Sequence, residues 1–201
     1  MAPRKRQMSS AQPARHAWTY SDLVALPDDQ LRHELIDGEH VVTPSPGTTH
    51  QTVLGRLFMF LKAYAEHHRS GEVLFAPFDV KLSAYTVLVP DLVYFTADRF
   101  ARIVNEKHAT GAPNLVVEVL SPSTRRRDRG RKRAVYDREG VQGYWLVDPV
   151  AGSVTVLRRP KIGGGLTNMS MLTLADGDLL KSPLFPGLTI RLRDVFAPAG
   201  A

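Results

Sequence analysis

The sequence predicts an α/β domain in which helices pack against a sheet, and three observations lead there. From Thr48 to His68 apolar residues recur at spacings of three and four, the pattern of a one-sided helix. The stretch from Asn114 to Leu120 is almost entirely aliphatic, as a strand buried on both faces must be. A helical pattern from Thr124 to Glu139 then leads to a second such strand, Gly143 to Val147. Strands alternating with helices imply a layered α/β arrangement.

The elements follow in order. Thr19, Ser21 and Asp22 offer caps for a short helix running through Leu26. Arg32 to Ile36 and Glu39 to Val42 flank Asp37-Gly38, a dipeptide suited to a two-residue hairpin turn. Thr43 to Gly47 holds two prolines and a glycine and reads as a loop. In the long helix Val53, Leu54, Leu57, Phe58, Leu61 and Tyr64 form the apolar stripe, and Gly71 is its expected stop. Strands are expected at Val73 to Phe75, Phe78 to Leu82 and Val87 to Phe95. Gly140 ends the second long helix, and Gly152 allows a hairpin into Val154 to Leu157. A glycine-rich loop (Gly163 to Gly165), two short strands and a turn at Pro186-Gly187 complete the chain. No repeat or second-domain boundary is visible. The expected organisation is a disordered basic tail, residues 1–17, and one domain, residues 18–201.

A chain of 201 residues with 43% apolar and 23% charged residues can bury its own core. No apolar run approaches the ~18 residues that span a bilayer, and no secretory signal is visible in residues 1–15. Cysteine is absent, which excludes disulfides, thiolate zinc sites and a cysteine nucleophile and fits a cytoplasmic protein. The net charge of +6 is unevenly spread. The tail holds Arg4, Lys5, Arg6 and Arg15 with no acid, and Arg125 to Arg133 holds seven bases against Asp128. The remainder has 15 bases and 19 acids, so a mildly acidic body carries two concentrated positive zones. Such zones suit a polyanion such as nucleic acid. They equally suit a solvated helix face and a floppy tail.

Two acids stand out by their surroundings. Asp91 follows Val87-Leu88-Val89-Pro90, and Glu118 sits within Leu115-Val116-Val117 and Val119-Leu120. A carboxylate in a buried strand requires a cation, a metal or a shared proton. Either acid alone suits a structural ion pair, whereas two in neighbouring core strands point towards a metal. Oxygen ligands without cysteine suit magnesium or manganese. Glu34 is a third candidate, on the same strand side as Arg32 and Ile36, with a cross-strand salt bridge as the alternative. Asp128, Lys132 and Tyr136 are spaced to share one side of the basic helix. Lys132 could point at the carboxylates or be one more solvated base. His50 opens the long helix, where it could touch a phosphate or simply pack. His67 and His68 end that helix and complement its dipole.

Taken together, Pro90-Asp91, Glu118-Val119-Leu120-Ser121-Pro122-Ser123-Thr124, Asp128…Lys132…Tyr136, Gly140-Val141 and Tyr144-Trp145-Leu146-Val147-Asp148-Pro149 resemble the Uma-type restriction endonuclease family of the PD-(D/E)XK nuclease superfamily. Glu34-Leu35-Ile36-Asp37-Gly38 and His50 match its early motifs. The resemblance covers roughly Trp18 to Pro149. It implies a restriction-endonuclease-like fold with a central mixed sheet flanked by helices, and a divalent-metal-dependent endonuclease that hydrolyses phosphodiester bonds in DNA, with RNA left open. It also implies Mg2+ or Mn2+ on Asp91, Glu118 and Glu34, with these and Lys132 as catalytic residues. The motif lysine normally sits two residues after the acid; here that residue is Leu120, and Lys132 is the match from the following helix. Gly143 is a second departure, since relatives usually carry an acid there. Arg125, Arg126, Arg127, Arg129 and His50 are the implied nucleic-acid contacts, with Asp128 and Tyr136 in support and a homodimer as the implied assembly. The alternatives are a catalytically inactive nucleic-acid-binding protein that keeps the fold, and a structural protein whose buried acids pair with arginines.

Overall fold

The computed structural model describes residues 16–29, 31–160 and 164–197. The expectation of an unstructured tail concerns residues 1–17, of which only His16 and Ala17 are described, and Gly163 likewise lies outside the described residues. The chain opens with α1 (Tyr20–Val24), started by a capping box: the Thr19 side chain accepts from the Asp22 backbone, and Asp22 accepts from the Thr19 backbone. The hairpin β1 (Arg32–Ile36) and β2 (Glu39–Thr43) turns at Asp37 and Gly38, whose φ angles of 52° and 79° are both positive, as a type I′ turn demands.

The long helix α2 spans Thr48–His68, as its stripe predicts. Its end differs from expectation. Arg69 takes the left-handed conformation at φ 49°, and Gly71 already begins β3 (Gly71–Phe75). That glycine is required for another reason. A Cβ there would stand 1.9 Å from the Phe95 carbonyl oxygen on the neighbouring strand.

The segment Val87 to Phe95 is two strands rather than one. After β4 (Asp79–Lys81), β5 (Val87–Leu88) pairs with it in a five-stranded sheet. The chain turns a corner at Val89-Pro90-Asp91 and resumes as β6 (Leu92–Thr96) in a six-stranded sheet. Proline has no N–H to offer a ladder, so the pairing breaks there. This corner delivers Asp91 to the junction between the two sheets.

Three short elements carry no sequence signal strong enough to read. They are α3 (Ala97–Ile103), which buries no residue, β7 (His108–Thr110), and a last helix described below. Next, β8 (Leu115–Val119) is buried along its whole length. A continuous helical rod over residues 125–138 follows, made of α4 (Arg125–Arg127), a π-helical turn (Asp128–Lys132) and α5 (Arg133–Arg138). It returns the chain to β9 (Gly143–Asp148), parallel to β8 with Leu115 opposite Gly143. A Cβ on Gly143 would meet Leu115 Cδ1 at 3.0 Å and Leu184 Cδ1 at 3.5 Å, so at this departure from the family pattern two leucines crowd the space a side chain would need. The remaining elements are β10 (Ser153–Arg158), β11 (Thr167–Thr173), β12 (Leu179–Leu180), β13 (Ile190–Arg191) and α6 (Leu192–Phe196).

The sheet orders are β2-β1-β5-β4-β7 and β11-β10-β9-β8-β6-β3, and each mixes parallel with antiparallel pairs. Period-two alternation then sorts the six-stranded sheet into two cores. Leu115, Val117 and Val119 pack with Leu54, Leu57 and Leu61 of α2. Val116 and Leu120 pack with Val135 and Tyr136 of the rod and with Ile36 and Leu88 of the other sheet. Glu118 shares that second face. No helix among the described residues is long and apolar enough to cross a membrane.

Two glycines separate packing from propensity. Gly71→Ala should lower unfolding free energy by roughly 2–4 kcal/mol, because the atoms a Cβ would strike, the Phe95 carbonyl and Thr96 Cα, are backbone. Gly55→Ala, in open space within α2, should raise it by about 0.5–1 kcal/mol. Denaturant melts of both variants check the pair.

Candidate active site

Burial of Glu118 on a dry sheet face sets the first requirement: something must answer its charge. The rod supplies it. Lys132 Nζ donates to Glu118 Oε1 at 2.9 Å and lies 2.7 Å from Glu34 Oε1. Tyr136, one turn further on, donates its hydroxyl to the same Glu118 oxygen at 2.9 Å. Lys132 is 2% exposed and Glu34 fully buried. Lys132 is therefore no solvated base, and the shared side of the rod comprises the residues the spacing predicts. Glu34 also accepts from the Val89 backbone at 2.9 Å, and Arg127 stands 3.8 Å from its other oxygen.

Asp91 has a different set of partners. Arg32 donates to Oδ1 at 2.7 Å. The Val119 backbone donates to Oδ2 at 2.8 Å, and His50 Nε2 lies 3.0 Å from the same oxygen. The Arg32 pairing is absent from the sequence reading, although Arg32 shares a strand face with Glu34. His50 is drawn to Asp91 by its place in the first turn of α2, behind the loop of Pro44 and Pro46. Asp128 is buried beside Lys132 at 3.9 Å, and its Oδ1 has no hydrogen-bond partner among the described residues.

These residues meet at a cavity of about 90 Å3 lined by Asp91, Glu118, Lys132, His50, Arg127 and Asp128. Glu34 is not part of its lining; it lies behind Lys132. Among the described residues no three acidic or histidine side chains form a ready cation cage. The expected convergence of Asp91, Glu118 and Glu34 is thus divided: two acids face the cavity, and the third holds the lysine. A two-carboxylate, all-oxygen site remains compatible with Mg2+, which takes one or two carboxylates and completes its shell with water and phosphate oxygens.

The basic run is largely engaged within the fold. Arg125 forks onto Asp148 at 2.5 and 2.9 Å, and Arg129 approaches the same carboxylate at 3.6 Å. Arg127 donates to Thr43 at 2.6 Å, and Arg131 reaches the Ile36 carbonyl and Glu39. Arg126 is exposed and has no ion pair among the described residues.

Charge counting explains the proton affinities. Glu34, Asp91, Glu118 and Asp128 are four acids, answered by the permanent cations Arg32, Arg127 and Lys132. One negative charge is in excess in a medium where charge is costly. Burial pushes Glu118 up to about 8, with Asp128, Asp91 and Glu34 adding repulsion that Lys132 only partly offsets. Both hydrogen-bond donors sit on Oε1, which leaves Oε2 for the proton. Burial would raise Asp91 as well, but His50 and Arg32 outweigh it and hold the group at about 2. Burial raises Asp128 too. Lys132 is held above its usual range, because Glu118, Glu34 and Asp128 overcome the desolvation that would lower it. The two neighbouring carboxylates thus differ in proton affinity because they differ in their donors, not in their burial.

A family model described as "Uma2: Putative restriction endonuclease" matches residues 20–193. A solved structure, described as a putative nuclease belonging to DUF820 from Anabaena variabilis, is similar in fold with a TM-score of 0.70 at 19% identity, over 89% of this chain and 97% of that one. No match was found among curated proteins.

The raised Glu118 pKa fixes the sign of a pH effect. The folded state favours its protonated form, so its contribution to stability is full below the ordinary carboxylate range and is lost as pH rises to about 8. Asp91 acts oppositely: its contribution is present above pH ~4 and is lost as pH falls towards 2. In chelator, the melting temperature of wild type should therefore fall relative to Glu118→Gln between pH 5 and 9. A difference that stays constant across that window would contradict the assignment.

Proposed function

The chain belongs to the Uma2 family, described as "Putative restriction endonuclease", and from that premise we propose that it hydrolyses phosphodiester bonds of DNA with the help of a divalent cation, Mg2+ or Mn2+. The observation that carries this reading is the pair Asp91 and Glu118, two buried carboxylates with opposed proton affinities on one cavity, with Lys132 between them and Glu34. A bound cation at such a site withdraws charge from the phosphate and lowers the pKa of a water.

The protein groups have distinct roles in this reading. Asp91, already ionised, offers the first oxygen. Glu118 would offer the second to a bound cation, giving its proton to solvent water. Arg32 and His50 fix the Asp91 carboxylate, while Tyr136 fixes that of Glu118. Lys132 carries three donor hydrogens, two of which lie on Glu34 and Glu118. The third is free to orient the attacking water or to meet the charge that develops on phosphate. Glu34 acts on the reaction by setting the position of that lysine. Asp128 Oδ1, buried on the cavity with no hydrogen-bond partner among the described residues and with Lys132 3.9 Å away, adds negative potential that favours a cation.

A catalytically inactive nucleic-acid-binding protein is the second reading. It draws on the fact that Asp91 and Glu118 each already have a protein cation, Arg32 and Lys132 respectively. Metal dependence separates the two. Nicking of plasmid and of single-stranded DNA and RNA by the pure protein should require millimolar Mg2+ and stop in chelator. Asp91→Asn and Glu118→Gln should each lower the rate by roughly a hundredfold or more. Mg2+ should also raise the melting temperature of wild type and not that of Glu118→Gln. Nucleic-acid binding with no cleavage and no Mg2+ effect on melting would favour the second reading.

Arg126 gives an independent check on the nucleic-acid surface. Arg126→Ala should reduce the slope of log affinity against log salt by about 0.9, the release of one phosphate counterion, with folding untouched. An unchanged slope would remove Arg126 from the contact surface.

A further inference from the structure

The acid cavity is narrow. Asp91 and Glu118 are each 2% exposed, and about 90 Å3 gives room for roughly six water-sized groups at about 15 Å3 each. A phosphate with its water fits there, but a nucleotide does not. The rim is Thr43 to Gly47 on one side and Ser121 to Thr124 on the other.

A second cavity of about 390 Å3 adjoins it. The two share Arg32, Thr43, Pro44, Ser45 and Pro46 among their lining residues, so one nucleotide's phosphate and its neighbour's base could occupy them side by side. Its volume falls in the range that encloses a small organic ligand. Leu23, Leu31, Pro27 and Pro77 supply flat apolar walls, and Gln51 and Asp79 supply polar groups. Val24 and Leu31 stand at 64% and 45% exposed, large apolar side chains left open to solvent on this wall.

On the nuclease reading above, we propose that this second cavity receives the base of an unpaired nucleotide next to the scissile phosphodiester, so that the substrate is single-stranded nucleic acid. A nucleobase is a flat body with apolar faces and a polar edge, which matches proline and leucine walls with a few polar groups. In a duplex those faces are covered by stacked neighbours and the edge is paired, so the base cannot enter unless it leaves the stack. The depth of the acids gives the same preference. A free strand can bend one phosphate into a narrow cleft, whereas a duplex presents its phosphates along a stiff convex surface.

The test compares binding of a labelled single-stranded DNA, its duplex, and an abasic chain of the same length, in chelator, by fluorescence anisotropy. Wild type should bind the single strand more tightly than either of the others. Leu31→Trp, which fills the cavity from an exposed position, should weaken single-strand binding about fivefold or more, the lower end of a stacked base, and leave the abasic chain unaffected. Val24→Trp is the second variant, should Leu31→Trp fail to fold. Tighter binding of duplex by wild type, or folded tryptophan variants that bind the single strand as wild type does, would overturn the proposal. Cleavage in Mg2+ is scored separately. Cleavage without base discrimination removes the subsite and leaves the nuclease, while discrimination without cleavage leaves a base-binding cavity and removes the nuclease.

Discussion

The ammonium of Lys132 sits between Glu34 and Glu118, and the architecture of the site depends on that contact. Glu34 belongs to the hairpin of the five-stranded sheet, Glu118 to the centre of the six-stranded sheet, and Lys132 to the rod that joins two parallel strands. One buried cation thus ties three separately formed pieces of structure. A buried pair gains little net stability over well-packed apolar groups, but removal of one partner leaves an unanswered charge and costs about 3–5 kcal/mol. The contact therefore specifies how the pieces meet more than it stabilises them.

Around it the charges are arranged rather than neutralised. Arg32 and His50 gather on Asp91, so that acid remains ionised. Glu118 has only a shared lysine and a phenol, in a layer otherwise occupied by Val116, Leu120 and Tyr144. The same burial that would raise both groups is overcome for one and not for the other. The number of donors each carboxylate receives, and their charge, decides the outcome.

Much of this was legible in the sequence. Asp37-Gly38 announced its turn because both residues must take positive φ, and the stripe of α2 needed only periodicity. Glu118 was conspicuous because an acid inside an aliphatic strand demands an explanation. What could not be read depended on pairing across the fold. The corner at Pro90 looked like the middle of a strand, since all its neighbours are apolar in either case. Arg32 gave no sign of Asp91, from which it is separated by 59 positions. Seven bases among the nine residues from Arg125 to Arg133 suited a polyanion or a solvated face, yet Asp148, Thr43 and Glu39 engage four of them. Glu34 was visible as a candidate, but its place behind Lys132 rather than on the cavity depends on how the two sheets meet.

The π turn from Asp128 to Lys132 has a consequence for how the rod works. A turn closed by i→i+5 bonds holds one residue more than an ordinary turn and shifts the phase of everything beyond it. Upstream, Arg125 and Arg127 are aimed at Asp148 and Thr43. At its last residue and one turn beyond, Lys132 and Tyr136 are aimed at Glu118. An unbroken α-helix carries each residue a fixed 100° from the last, so these two sets of azimuths would be locked together. The extra residue uncouples them. The rod behaves as a shaft with two settings, one for its anchorage and one for its chemistry, and the number of residues between them is an angular coordinate of the site.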